Sequence, residues 1–169
     1  SSGGHEVVGI DEDAEVIAGL RQKRLPVAEP GLQELAAQQI AENRLRFSSQ
    51  FSEVAGSEIV WIAYDTPVDD QDRADTDFVI SRVEALFPYL SEGSIVLISS
   101  QMPVGSTARL ERKYRESGTH TTVSFAYSPE NLRLGKAIEV FTRPDRVVAG
   151  VRTMRDPERL EQMLRPFTE

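Results

Sequence analysis

The sequence predicts a three-layer, doubly wound α/β domain with a mostly parallel sheet. Short apolar runs alternate with longer amphipathic stretches along the chain. That is the pattern of strands joined by crossover helices. Residues 59–63 (Ile-Val-Trp-Ile-Ala) and 94–99 (Ser-Ile-Val-Leu-Ile-Ser) are apolar almost throughout, as parallel strands covered on both faces are. These two runs are expected to lie side by side.

Residues 6–10 read as a buried strand, and 13–21 as a helix with Val16, Ile17 and Leu20 on one face. Pro26 and Pro30 break the next segment. Residues 31–43 then read as a helix with Leu32, Leu35, Ala36 and Ile40 inward, and 45–48 as a short strand. After 59–63, a helix is expected over 76–90, a strand over 94–99 and a helix over 105–116. Residues 123–127 and 146–149 read as the last strands. A helix begins over 156–164, with Asp156 as N-cap and Pro157 in its first turn.

The chain has 169 residues, which suits one domain with its own core. Its net charge of −8 argues against a nucleic-acid binder, which needs a basic face. Arg21, Lys23 and Arg24 form the densest basic group. No apolar run is long enough to span a bilayer, and the start does not look like a signal peptide. Zero cysteines exclude disulfides, thiolate metal sites and a thiol nucleophile within this chain. His5 and His120 are too few for a histidine-built metal site, so no metal is expected; both read as surface or strand-edge residues. Residues 69–73 (Asp-Asp-Gln-Asp-Arg) read as a solvated, mobile loop.

Two carboxylates stand out as candidate ligand residues. The strand-like run over 123–127 stops at Ser128-Pro129-Glu130. In an open α/β sheet, ligands bind in the crevice outside the carboxyl ends of the strands. Proline stiffens the turn and keeps the residue before it out of helix. Glu130 is therefore either a ligand-site acid or a solvated loop acid. Asp11 ends the run Glu6-Val7-Val8-Gly9-Ile10. It either caps the following helix or binds a ribose, as an acid at the end of the second strand of a dinucleotide fold does. An acid there also repels a 2′-phosphate, which favours NAD over NADP.

The ordered set Gly4-His5-Glu6-Val7-Val8-Gly9-Ile10-Asp11, Glu29-Pro30-Gly31-Leu32, Asn43-Arg44-Leu45-Arg46-Phe47, Trp61-Ile62-Ala63-Tyr64-Asp65-Thr66-Pro67, Met102-Pro103-Val104-Gly105-Ser106-Thr107 and Ser128-Pro129-Glu130-Asn131-Leu132-Arg133 resembles the NAD-binding domain of the UDP-glucose/GDP-mannose dehydrogenase family. The resemblance runs from about Gly4 to Gly150. It implies a Rossmann-like fold over 1–155, with 156–169 starting the helix that leads to a central and carboxyl-terminal part. It also implies a cytoplasmic, homodimeric parent that oxidises the 6-hydroxymethyl of a nucleotide sugar to a carboxylate with two NAD, through a thioester on a cysteine outside this chain.

By the same resemblance, Asp11, Tyr64, Asp65, Thr66, Pro67 and Ser100 contact the cofactor. Glu130 is the general base of thioester hydrolysis, and Gln101 stands where a threonine orders the water. Asn131, Leu132 and Arg133 contact the substrate. The chain departs from the family at Gln101, at Leu134 in place of a second glutamate of a Pro-Glu-x-x-x-Glu pattern, and at Asp65, where a smaller residue is usual.

A dinucleotide fold places its Gly-x-Gly-x-x-Gly turn roughly twenty residues before the ribose acid. Only ten residues precede Asp11, and Ser1-Ser2-Gly3-Gly4 follows no strand. The sheet is therefore expected to be incomplete at its first strand, and NAD binding and turnover by this chain alone are expected to be weak or absent. The competing reading is a non-catalytic binding module on a degenerate dinucleotide fold.

Overall fold

The computed structural model describes residues 1–71, 73–119, 121–130 and 132–168. The expectations placed on His120, on Asn131 and on Asp72 within the polar loop lie outside the described residues. The described strands are β1 (Val7–Ile10), β2 (Leu45–Ser48), β3 (Ile59–Ile62), β4 (Ile95–Ile98) and β5 (Ser124–Tyr127). The helices are α1 (Ala14–Arg21), α2 (Leu32–Ala41), α3 (Thr76–Glu84), α4 (Ser106–Glu116), α5 (Ala137–Thr142) and α6 (Asp156–Leu164). Every pair of these strands is parallel, in one sheet of order β1-β2 and one of order β3-β4-β5. The contacts cluster into two units. The first is Ser1–Glu53, Asn131–Val147 and Arg159–Glu169; the second is Val54–Glu130 and Val148–Glu158.

The second unit carries the sheet predicted from 59–63 and 94–99. Ile59 pairs with Ile95 and Ile62 with Ile98, and β5 continues the register with Ile98 against Tyr127. All four residues of β4 are buried, which is why that run lacks polar alternation. Val79 and Val83 of α3 and Leu110 of α4 are fully buried. Phe87 meets Tyr114 and Phe125 edge-on, its ring centroid 5.0 Å from that of Tyr114, and Tyr114 and Phe125 are tilted against each other.

Two expectations fail here. The helix predicted over 76–90 stops at Glu84, and Phe87–Tyr89 continues as a 3₁₀ turn. Pro88 explains this: a proline ring clashes with the carbonyl four residues back, which is that of Glu84. Residues 146–149 form no strand either. Only Gly150 bridges, antiparallel, to Tyr127. The next ladder step would require an N–H from Pro129, which has none.

In the first unit, β1 and β2 pair from Val7–Leu45 to Ile10–Ser48. Gly9 faces Phe47, and a Cβ at Gly9 would stand 2.8 Å from that ring. Asp13 caps α1, accepting from the backbone N–H groups of Glu15 and Val16. Arg21 donates twice to the Phe47 carbonyl, at 3.1 and 2.9 Å. The chain enters α2 through Gly31 in the left-handed region. His5 is half-buried, its Nε2 2.8 Å from the Met163 carbonyl.

Helix α5 was not legible in the sequence. It has six residues, none fully buried, a stretch shorter than the window in which helical periodicity can be read. Helix α6 runs over the predicted residues, but Asp156 is its first helical residue and is buried rather than a flanking cap. Among the described residues, no helix is long and apolar enough to cross a membrane.

Candidate functional site

The parallel register aligns the carboxyl ends of β3, β4 and β5. Three loops therefore leave the second unit's sheet side by side, and they hold the predicted strand-end residues. After β3, Tyr64 is half-buried with its ring edge-on to Phe78, and Asp65 faces solvent. Solvent exposure is the environment in which a carboxylate is tolerated there. Thr66 Oγ1 donates to the Gln101 carbonyl at 2.7 Å. The Pro67 carbonyl accepts the Asp75 N–H, also at 2.7 Å. The structure thus joins the loop of Thr66 directly to that of Gln101, a contact that no local sequence pattern announces.

After β4, Ser99 and Ser100 are buried. Ser99 Oγ accepts from Trp61 Nε1 at 2.7 Å, and its N–H bonds the Ile62 carbonyl. Ser100 Oγ is buried with no hydrogen-bond partner among the described residues. A buried orphan hydroxyl is uncommon and often marks a functional position. The Gln101 side chain is exposed.

After β5, the Ser128 N–H continues the ladder to the Ile98 carbonyl, and its hydroxyl donates to the Val148 carbonyl at 3.0 Å. These two bonds fix the turn ahead of Pro129 and Glu130. Glu130 itself is exposed.

In the first unit, Asp11 follows β1, and its N–H reaches the Ser48 carbonyl at 3.2 Å. Its Oδ1 accepts the Asp13 N–H at 2.9 Å. Since Asp13 is the cap of α1, the capping alternative for Asp11 falls. The turn orients the Asp11 carboxylate through Oδ1. Residues 1–4 form a turn ahead of β1, with Gly4 N–H to the Ser1 carbonyl at 2.9 Å. Leu132 and Arg133 are exposed, and Leu134 is 82% exposed.

The loops of Thr66, Ser100 and Ser128 leave the carboxyl ends of adjacent parallel strands, which is where open α/β domains bind their ligands. Residues 1–168 match the model of the UDP-glucose/GDP-mannose dehydrogenase family, NAD binding domain, and the chain belongs to that family. It is 39% identical over 150 residues to a UDP-glucose 6-dehydrogenase of Rhizobium meliloti, a match covering 88% of this chain and 34% of that protein. It is 34% identical over 169 residues to one from Pseudomonas aeruginosa, covering 97% and 37%. A solved UDP-glucose dehydrogenase from Pyrobaculum islandicum superposes with a TM-score of 0.88 at 30% identity, over 97% of this chain and 39% of that one. The chain therefore spans a little over a third of the length of these relatives, and its fold is the Rossmann type.

Sequence reasoning missed one feature. Glu29 accepts the Gly135 N–H at 2.6 Å and the Ala137 N–H at 2.7 Å, across more than a hundred residues. The only signal was the quartet Glu29-Pro30-Gly31-Leu32, to which no chemistry had been assigned.

Proposed function

We propose that the chain is the NAD-binding part of a nucleotide-sugar 6-dehydrogenase of the UDP-glucose/GDP-mannose type. The parent oxidises a sugar 6-hydroxyl to a carboxylate and acts as a cytoplasmic homodimer. Residues 1–155 form its cofactor domain, and α6 leads into the rest of the protein. The observation that carries this reading is the alignment of Thr66-Pro67, Ser100-Gln101 and Ser128-Pro129-Glu130 at the ends of three adjacent parallel strands.

NAD, when bound, accepts the hydride. Asp11 binds its adenosine ribose and selects it over NADP, while Tyr64, Asp65, Thr66, Pro67 and Ser100 line its path. Asn131, Leu132 and Arg133 hold the sugar nucleotide. Gln101 orients the hydrolytic water through its side-chain amide. Glu130 takes a proton from that water as it attacks a thioester formed on a cysteine elsewhere in the parent. The rest of the parent covers Glu130 and supplies the burial its role requires.

The test is Glu130→Gln in the full-length parent. Hydrolysis should slow by about 10²–10⁴-fold, with the first hydride transfer little changed. A covalent enzyme–sugar adduct should then accumulate and be visible by intact-protein mass spectrometry. Wild-type turnover with no adduct would return Glu130 to a solvated loop acid.

A further inference from the structure

We infer that Glu29 is a positioning residue, a two-pronged clamp that fixes the loop carrying Leu132 and Arg133 for the nucleotide-sugar substrate. Its carboxylate uses both oxygens on that loop, Oε2 on the Gly135 N–H and Oε1 on the Ala137 N–H. Ala137 opens α5, so its N–H is one of the orphan donors at a helix start. No side chain of the loop meets it: Lys136, in the cap position, makes no side-chain cap bond. Glu29 supplies the missing acceptor from a distant part of the chain. Charge-assisted bonds of this kind are short and strong.

The loop has little else to hold it. Residues 132–136 are all exposed, so apolar packing does not set their position. Gly135 lies at φ +82°, with open space where a Cβ would be. A turn bond from the Lys136 N–H to the Arg133 carbonyl closes the segment on itself but ties it to nothing else. Glu29 ties the loop to the rest of the first unit, and further along α5 Phe141 meets Phe167 with ring centroids 5.0 Å apart. Pro30 and left-handed Gly31 then lead into α2, so the clamp is anchored to a regular element. The same unit carries Asp11.

The inference rests on the nucleotide-sugar reading and is tested in the full-length protein with UDP-glucose as probe. Glu29→Gln keeps size and shape, but its amide NH₂ must face one of the two N–H donors. The KM for UDP-glucose should rise about 10- to 100-fold, because the substrate then binds a loop whose ordered state has lost one charge-assisted hydrogen bond and become the minor one. The KM for NAD should stay within about twofold, and amide exchange at Gly135 and Ala137 should accelerate about tenfold or more. Glu29→Asp keeps the charge but cannot reach both donors, and should fall between. Unchanged exchange at these amides would overturn the clamp. Equal increases in KM for NAD and sugar, or a melting temperature lowered by more than about 10 °C, would make Glu29 a general structural residue and overturn the positioning role. A wild-type protein that reduces no NAD with UDP-glucose or GDP-mannose would instead sink the proposed function, and the substrate half of this inference with it. Exchange would still decide whether the clamp exists.

Discussion

The two sheets of this chain are both parallel, yet they are held by different physics. In the second unit, β4 is buried along its whole length, and its neighbours Val79, Val83, Leu110 and Phe125 are buried with it. In the first unit, no residue of β1 is fully buried, and the buried apolar side chains are Ile17, Ala36 and Leu160. Polar ties take the larger share there: Arg21 on the Phe47 carbonyl, Arg46 with Glu53, and Glu29 on the loop before α5. Burial is non-directional and scales with area, whereas hydrogen bonds specify position at modest net stability. The second unit should therefore carry most of the stability of the chain, and the first should carry geometry.

The largest effect that could break this comparison is on stability. Phe125 is 1% exposed and contacts both Phe87 and Tyr114. Phe125→Ala should cost about 3–5 kcal/mol. Val8→Ala on half-buried β1 should cost only about 1 kcal/mol. Urea denaturation of both variants measures the difference. Equal losses would show that the first unit is as dependent on burial as the second.

The contrast also explains what was legible in the sequence. Runs 59–63 and 94–99 announced themselves because a strand buried on both faces has no polar alternation to blur it. Helix α1 followed from the periodicity of Val16, Ile17 and Leu20. Residues 146–149 misled because Val147 and Val148 favour strands locally, while the ladder is stopped by Pro129 on the partner strand, a fact of pairing. The Glu29 clamp was invisible for the same kind of reason: the acceptor and its donors lie 106 and 108 residues apart. For the site, the strand-end motifs marked the loops, but the bond from Thr66 to the Gln101 backbone and the orphan hydroxyl of Ser100 are products of register. Asp11 was ambiguous until Asp13 proved to be the helix cap.

Asp11 sharpens the comparison from the side of the first unit. Its carboxylate is oriented by one turn bond and packs into no core, so Asp11→Asn should leave stability almost unchanged. In the full-length parent, it should weaken NAD by about 10- to 100-fold, the effect of losing a charge-assisted hydrogen bond to the ribose. It should also narrow the gap to NADP by removing repulsion of the 2′-phosphate. Steady-state kinetics with both cofactors measures this. An unchanged NAD/NADP preference would remove Asp11 from the site.

The smallest effect is expected at Asp69, where the buried unit carries its most polar loop. The described residues of that loop are solvated as expected, but they are ordered around one carboxylate. Asp69 Oδ1 accepts the N–H groups of Gln71 and Arg73, and Oδ2 meets Arg73 Nε at 2.7 Å. Beside it, Val68 bridges Ala74 in antiparallel fashion. The Arg73 N–H first, then the Gln71 N–H and the Arg73 side chain, hold the Asp69 carboxyl below its ordinary value. A folded-state pKa that is depressed stabilises above the unfolded pKa, and that contribution is lost as pH falls through the folded value. Acid should therefore loosen this loop only below the ordinary aspartate range, by protonating Asp69. Because Asp69 is fully exposed, screening keeps the effect local, and the β3-β4-β5 sheet should persist through the transition. A carboxyl titration followed by NMR, read with amide exchange at Gln71 and Arg73, tests this. A pKa at or above the ordinary aspartate value would show that the turn does not favour the charged form. Unfolding of the sheet in step with Asp69 would show that the loop, and not burial alone, supports the second unit.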